Sequence, residues 1–198
     1  MKMRATLLAL LLAVFVVTAA SAWDKSVCDG VAGNLVHNCG FETGDFTDWT
    51  QSGNMANTDV TIFNPHSGFE AAALGPIGSD GFLTQNVGSN ATHYNLSFYL
   101  FSDGETPNNF TVVWNGHDIG PTLVNAGAFP YMLFSVKLAG NAGPGSNSLT
   151  FAFRQGPLYW FLDDIVVTSS AVPEPSSLIL IGSGLLGLAG LVRRKLGA

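Results

Sequence analysis

Carboxylates and histidines are the side chains of this chain that acid–base or metal chemistry would use, and their spacing fits no catalytic pattern. Asp163 and Asp164 are adjacent. Neighbours on a strand point to opposite faces, so these two cannot be the facing carboxylates of a glycosidase, about 5 Å or more apart. Ser67 follows His66, but adjacency alone does not make a nucleophile–base pair. Neither Gly-x-Ser-x-Gly nor His-Glu-x-x-His occurs. The four histidines show no ligand spacing and are expected at the surface or at strand edges: His37, His66, His93 and His117. We predict that the protein is not an enzyme.

Aromatic side chains are the second group with chemical potential, because exposed rings flanked by amides and carboxylates can stack on sugars. Several amides and an acid lie near Trp114 in the sequence, among them Asn109, Asn115 and Asp118. The alternative is that these rings fill the core, as most aromatic residues do. The candidates for glycan binding are Trp114, Tyr131, Tyr159 and Trp160.

The first 22 residues have the pattern of a Sec signal peptide. Lys2 and Arg4 precede an apolar run from Ala5 to Val17, and Ala20-Ser21-Ala22 supplies a small-x-small cleavage pattern. We expect cleavage before Trp23; the alternative is an uncleaved anchor.

The two cysteines, Cys28 and Cys39, lie 11 positions apart. Because export leads to an oxidising compartment, we predict a disulfide that closes a short loop. The alternatives are two free thiols or a metal pair, and two cysteines without a matched pair of histidines make a poor zinc site.

The C-terminal residues combine a proline-flanked acid with an apolar segment. Pro173, Glu174 and Pro175 cannot continue a regular element. An uncharged stretch of 15 residues then runs from Leu178 to Val192. As a helix it would be about 22 Å long, shorter than the ~30 Å hydrocarbon core of a bilayer. Three cations follow it: Arg193, Arg194 and Lys195. We predict a short transmembrane helix over about 177–192 with its C-terminus in the cytoplasm; the alternative is a buried helix of the preceding domain.

The intervening segment, 23–171, is predicted to be one all-β domain. Short apolar runs recur between turn residues and several alternate with period two, as Leu96, Phe98 and Leu100 do. Asn115-Gly116 indicates a type I′ hairpin turn. We predict nine strands in a jelly-roll sandwich: 34–37, 60–63, 69–74, 82–87, 94–101, 110–114, 131–138, 148–153 and 159–168. The domain holds three basic residues against 13 acidic ones, so it offers no basic patch for nucleic acid.

The C-terminal residues Val172 to about Lys195 resemble the PEP-CTERM sorting signal: a Val-Pro-Glu-Pro box, a short glycine-rich apolar segment and an arginine-rich end. Such tails are recognised by exosortases, membrane proteases of Gram-negative bacteria that make exopolysaccharide. The resemblance implies a sorting motif comprising Pro173, Glu174, Pro175, Arg193 and Arg194. It also implies a transient inner-membrane anchor, processing near the box, and transfer to the cell surface or extracellular matrix.

The domain resembles the galactose-binding-like jelly rolls that include many carbohydrate-binding modules. The resemblance lies in Asn34–Trp49, His66–Gly68, Leu83–Gln85 and Tyr159–Val167. One departure is Cys39, where a small residue is usual, and we link it to the disulfide.

Such modules often hold a structural calcium where the first and last strands meet. The resemblance implies Glu42 and Asp163 or Asp164 as carboxylate ligands, helped by carbonyls near His66–Gly68. Asp163 is in phase with Ile165 and Val167 and is expected to point inward, which favours it as the ligand. The alternative is that Glu42 caps a turn and the Asp pair ends a strand in solvent.

Three functions remain open. The leading hypothesis is a non-catalytic exported surface or matrix protein, processed by an exosortase and associated with exopolysaccharide or biofilm. The second is a lectin-like module with a defined glycan ligand. The third, least favoured, is a glycan-active hydrolase.

Overall fold

The computed structural model describes residues 25–88, 91–140 and 146–170. Within these ranges the chain forms one short 3₁₀ helix, Val27–Gly30, and ten strands. The strands are β1 (Thr50–Gly53), β2 (Thr58–Thr61), β3 (Ala71–Leu74), β4 (Gly81–Gly88), β5 (His93–Ser102), β6 (Asn108–Trp114), β7 (His117–Val124), β8 (Phe129–Ala139), β9 (Ser146–Gln155) and β10 (Trp160–Ser169). The predicted signal peptide, the sorting motif and the membrane helix all lie outside the described residues. Inside them, no helix has both the length and the apolar character that crossing a bilayer requires.

The strands form two five-stranded antiparallel sheets packed face to face. The first sheet has the order β1-β4-β9-β6-β7 and the second the order β2-β3-β10-β5-β8. The predicted alternation along β5 is confirmed, because Leu96, Phe98 and Leu100 are all at most 1% exposed. Leu149, Phe151 and Phe153 of β9 face them from the other sheet and are fully buried. The all-β sandwich predicted from the sequence is therefore the fold of the domain.

The Asn115-Gly116 turn joins β6 to β7 as predicted. Both residues have positive φ, 52° and 80°, and Trp114 pairs with His117 across the turn. That is the backbone of a type I′ turn, which Asn and Gly adopt at least cost. The strand after the turn, β7, was not predicted, because Gly120 and Pro121 interrupt its apolar pattern.

The strand predicted at 34–37 is wrong. The segment runs beside β10, and the N–H of Leu35 donates to the carbonyl of Val167 at 2.8 Å. The side chain of Asn34 replaces the remaining ladder contacts: its amide donates to the carbonyl of Ile165 and its oxygen accepts the N–H of Val167. A side chain that takes the place of a ladder carbonyl gives a local turn, not a strand.

The predicted disulfide joins Cys28 and Cys39 in the structure, with the Cα atoms 6.1 Å apart. It ties the 3₁₀ helix to the loop at 38–41. The N–H of Ile165 in β10 donates to the carbonyl of Cys39 at 2.9 Å. The bridge therefore closes a loop within the segment before β1, and the hydrogen bond from Ile165 holds that loop against β10.

Replacing both cysteines with serine is expected to lower the free energy of unfolding by about 3 kcal/mol. Without the bridge the unfolded chain gains the conformational entropy that a loop of this length withholds from it. Urea unfolding of the variant and the wild type, the latter with and without reductant, measures it. The double variant Cys28→Ser/Cys39→Ser and the reduced wild type should have the same free energy of unfolding. A wild type whose midpoint does not move on reduction would contradict the prediction.

Candidate functional site

A β-bulge in β10 brings Asp163 and Asp164 to the same place. The pairing of β10 with β5 shifts between Asp163 and Val166, and Asp164 has a φ of 51°. The expectation that the two carboxylates point to opposite faces is therefore wrong, since both contact Ser67. Period-two alternation fails wherever a strand carries an extra residue.

The bulge also reverses the expected direction of Asp163. Leu162 is in the core, and Asp163 pairs with Tyr99 on the outer face of the second sheet. The loop that holds His66 covers this face, so Asp163 is fully buried without entering the core. The alternative in which the Asp pair ends a strand in solvent is wrong as well, because Asp164 is only 2% exposed.

Each aspartate is held by several protein donors. Asp163 Oδ2 accepts the N–H groups of His66 and Ser67 at 2.8 and 3.2 Å. Asp164 Oδ2 lies 2.6 Å from His66 Nδ1 and accepts the hydroxyl of Ser67 at 2.7 Å. Its Oδ1 accepts the hydroxyl of Ser26 and, at 3.2 Å, the N–H of Cys28. Asp164 thus joins three separate segments: the chain before the 3₁₀ helix, the 64–68 loop and β10.

Two tyrosines enclose the imidazole of His66. Its ring stacks on Tyr99 with the centroids 3.5 Å apart and meets the edge of Tyr131 at 5.2 Å. The hydroxyl of Tyr131 donates to the carbonyl of Asn64 at 2.6 Å, which anchors the same loop to β8. The resemblance placed carbonyls near His66–Gly68 beside the Asp pair, but the imidazole of His66 was expected at the surface or at a strand edge. We call the group formed by both aspartates, Ser26, His66 and Ser67 the Asp163–Asp164 cluster.

The cluster is electrostatically unbalanced. Burial, and then the charge of Asp164, raise the pKa of Asp163 to about 8, against the opposing effect of the backbone N–H groups that it accepts. Burial and the two nearby carboxylates also raise the pKa of Tyr131. Among the described residues, the one side chain of a basic residue type within salt-bridge distance of this pair is His66, whose Nδ1 lies 2.6 Å from Asp164 Oδ2.

Glu42, the third predicted calcium ligand, makes no hydrogen bond to the Asp163–Asp164 cluster and binds backbone groups of the chain that follows Gly68. Its carboxylate accepts the N–H groups of Phe69 and Glu70 at 3.0 and 3.3 Å, and burial is the main reason that its pKa is raised. Over the described ranges, the one set of three potential ligand side chains with donor atoms within 4.8 Å of one another is Cys28, Asp29 and Cys39. Its two sulfurs form the disulfide, so they offer no thiolate.

Glu42 and the two aspartates do not converge on one ion in this conformation, although the buried charge of the Asp pair would favour a cation. Calcium binding stays a prediction. It would require Glu42 to exchange its backbone hydrogen bonds for metal coordination.

The prediction of glycan binding is wrong for two of the four residues, because their side chains belong to the core. Trp114 is 3% exposed and donates its indole N–H to the carbonyl of Ala139. Trp160 is fully buried and donates to the carbonyl of Arg154. Each lies on the inner side of its strand with its polar atom satisfied within the protein, so neither ring face is open to a sugar.

The other two candidates lie on the outer face of the second sheet, within a row of aromatic rings. Tyr159 is 6.0 Å from Phe161, Phe161 is 5.7 Å from Phe101, and Phe101 is 5.7 Å from Tyr131, measured between ring centroids. The sequence pointed to the tyrosines but missed the phenylalanines between them.

An open groove of about 690 Å³ runs along this face. Its floor is formed by Ala73 and Phe161, and its walls by Phe63, Tyr159 and the edge strand β2. The groove has room because β3, between β2 and β10, presents only the small side chain of Ala73 to it. The full lining is Asn57, Thr58, Asp59, Val60, Thr61, Phe63, Ala73, Tyr159 and Phe161.

Comparison with known proteins finds a sorting signal and a fold. Residues 171–195 match the PEP-CTERM protein-sorting motif, as the sequence predicted. No curated protein matches the chain.

Three solved structures illustrate the similarity in fold. TmCBM61, solved in complex with β-1,4-galactotriose, is 21% identical with a TM-score of 0.55 over 69% of this chain and 99% of that one. A family 16 carbohydrate-binding module is 14% identical with a TM-score of 0.54 over 69% and 100%. The CBM22-1 xylan-binding domain of Paenibacillus barcinonensis Xyn10C is 16% identical with a TM-score of 0.51 over 66% and 90%. The chain thus joins a PEP-CTERM sorting motif to a β-sandwich with the jelly-roll fold of carbohydrate-binding modules.

Proposed function

We propose that this is a non-catalytic exported protein that an exosortase-type membrane protease processes near Pro173–Pro175. The protein then resides at the cell surface or in the extracellular matrix, in association with exopolysaccharide. The observation that carries the proposal is the PEP-CTERM motif at 171–195. The apolar stretch after the box suits a transient anchor, since it is short for a bilayer and is followed by three cations.

The chemistry of the domain supports a role without catalysis. In the Asp163–Asp164 cluster, the two carboxylates accept backbone N–H groups, hydroxyls and the His66 ring, so they act as structural acceptors. His66 bonds to Asp164 through Nδ1, and Ser67 bonds to Asp164 as well. Both partners of a possible nucleophile–base pair thus bind the same acid and do not activate each other.

A second candidate function is a lectin-like module with a defined glycan ligand. The observation that favours it is the row of aromatic rings beside the groove on the second sheet. Two proteins of similar fold support it by what they bind, one in complex with β-1,4-galactotriose and the other named as xylan-binding.

Processing at the box is tested by replacing Glu174 with alanine in the full chain and expressing it in a host with an active exosortase. We expect the wild type outside the inner membrane without its last ~20 residues, and the variant retained there at full length, because the protease loses its recognition element. Cell fractionation and intact-mass measurement distinguish the two.

The matched control is Glu70→Ala, an acidic residue of the sandwich remote from the tail in sequence. A wild-type protein that keeps its tail and stays embedded would refute the sorting proposal.

A further inference from the structure

We propose that the groove on the outer face of the second sheet is a binding site for a neutral, pyranose-based oligosaccharide. The inference rests on the proposed association of the domain with polysaccharide, and it adds the place and the chemical class of the ligand. The groove differs from the Asp163–Asp164 cluster, since none of its lining residues belongs to that cluster.

The apolar side of the groove fits the carbon-bound face of a sugar ring. Phe63 lies two residues beyond the end of β2 and is 74% exposed, so its ring is open to a ligand. Across the floor from it, Tyr159 is half-buried and packs on Phe161. Together with Ala73, these rings line the apolar side of the groove. The volume of the whole groove, about 690 Å³, is within the size range of small-molecule sites, about 300–1,000 Å³.

The position of Tyr159 is fixed before any ligand arrives. Its N–H donates to the carboxylate of Asp103 and its carbonyl accepts the N–H of Asp103, both at 3.3 Å. A Cβ at Gly75 would come within 2.7 Å of the tyrosine ring, so the bare backbone of a glycine lets the ring lie flat against the chain. A side chain held in this way loses little entropy when a ligand stacks on it.

The opposite wall supplies hydrogen-bonding groups for hydroxyls. One carboxylate oxygen of Asp59 accepts the N–H of Val60, and the other oxygen is available to accept a hydrogen bond from a sugar hydroxyl. Thr61 accepts the N–H of Phe63 and keeps its hydroxyl proton to donate. In the part of the chain that the structure describes, the amide of Asn57 makes no hydrogen bond. An aromatic slot flanked by a few convergent polar groups is the usual make-up of a small-molecule site.

The charges of the groove select against acidic glycans. Asp59 is its one ionisable acid, and none of its lining residues is basic. The basic residues of the domain, Lys25, Lys137 and Arg154, all lie outside the lining. A uronic-acid polymer would bring like charge to Asp59 without a cation to offset it, so the ligand is a neutral sugar.

The test is titration calorimetry of the full chain in a zwitterionic detergent, because glycoside detergents would themselves present sugars. The neutral probes are β-1,4-galactotriose and xylotriose, and the acidic probe is trigalacturonic acid. Phe63→Ser removes a ring that the fold does not need, and Ala73→Met fills the floor. Leu133→Ala is the control, because Leu133 is 55% exposed on the same sheet and outside the groove.

We expect at least one neutral probe to bind the wild type and the control equally. Both groove variants should weaken that binding by about tenfold or more, and Phe63→Ser should do so with an unchanged melting temperature, because Phe63 is 74% exposed. Equal binding by the groove variants would overturn the site while leaving polysaccharide association intact. Preference for the acidic probe, or no binding of either neutral probe, would overturn the ligand class. A Phe63-dependent dimer in light scattering would assign the groove to a second copy of the chain and also overturn it. None of these outcomes bears on processing at Glu174, which is measured separately.

Discussion

Asp164→Ala is expected to lower the free energy of unfolding by about 3–5 kcal/mol, because it leaves several buried donors without their acceptor, and each unsatisfied buried donor costs about 1–3 kcal/mol. The substitution leaves His66 Nδ1, the hydroxyls of Ser26 and Ser67 and the N–H of Cys28 without their acceptor. It also places alanine at a φ of 51°, a region that aspartate and asparagine tolerate better. Urea unfolding of the full chain, followed by tryptophan fluorescence, measures the loss.

Two further substitutions separate the causes. Asp164→Asn keeps the tolerance for positive φ and one acceptor oxygen, so it should cost less than Asp164→Ala. Asp48→Ala is the matched control: Asp48 is exposed and also has a positive φ, 69°, so it reports the backbone contribution alone. If Asp164→Ala unfolds no more easily than Asp48→Ala, the cluster does not hold the three segments together.

The sequence was sufficient for the fold because most strands here carry regular apolar alternation. Eight of the nine predicted strands overlap observed ones, and the Asn115-Gly116 turn has the expected backbone. Where the sequence failed, the residues were polar or interrupted. The strand β1 reads Thr-Gln-Ser-Gly and is exposed throughout, so it has no apolar face to detect. In β7, Pro121 interrupts the apolar alternation from which a strand would be predicted.

The candidate sites were harder to predict, for two physical reasons. A bulge cannot be read from Leu162-Asp163-Asp164-Ile165, yet it decides on which side both carboxylates lie. The groove depends on the small size of Ala73, which leaves empty space above β3. It also depends on a row of aromatic rings that come from strands distant in sequence. Local pattern gives the chemistry of each residue but not which residues meet across a sheet.

A pH-dependent loss of stability is the second large effect that we expect. The pKa of Asp163 is raised to about 8 in the folded protein and is about 3.9 in an unfolded chain. Between these values the folded state binds more protons than the unfolded state, so the free energy of unfolding falls as pH rises. The stabilisation is fully present below about pH 4 and is lost by about pH 8.

The measurement is a series of melting curves from pH 4 to 9 in calcium-free buffer with chelator. We expect the melting temperature of the wild type to fall by about 5 °C or more, since each kcal/mol shifts a domain of this size by about 2–4 °C. Asp163→Asn cannot ionise, so its curve should be flatter across the same range, even if its absolute stability is lower. A wild-type curve as flat as that of Asp163→Asn would contradict the raised pKa.

Repeating the series with millimolar calcium tests the remaining prediction for the same residues. If the ion binds Asp163 and Asp164, it binds their ionised forms, so the gain in melting temperature should grow as pH rises and should cancel the fall seen with chelator. Glu42→Gln should reduce that gain only if Glu42 leaves the N–H groups of Phe69 and Glu70 to join the ion. Magnesium is the control, because it demands a tighter octahedral shell than these oxygens offer. No calcium effect at any pH would mean that His66 and the surrounding donors alone hold the Asp pair.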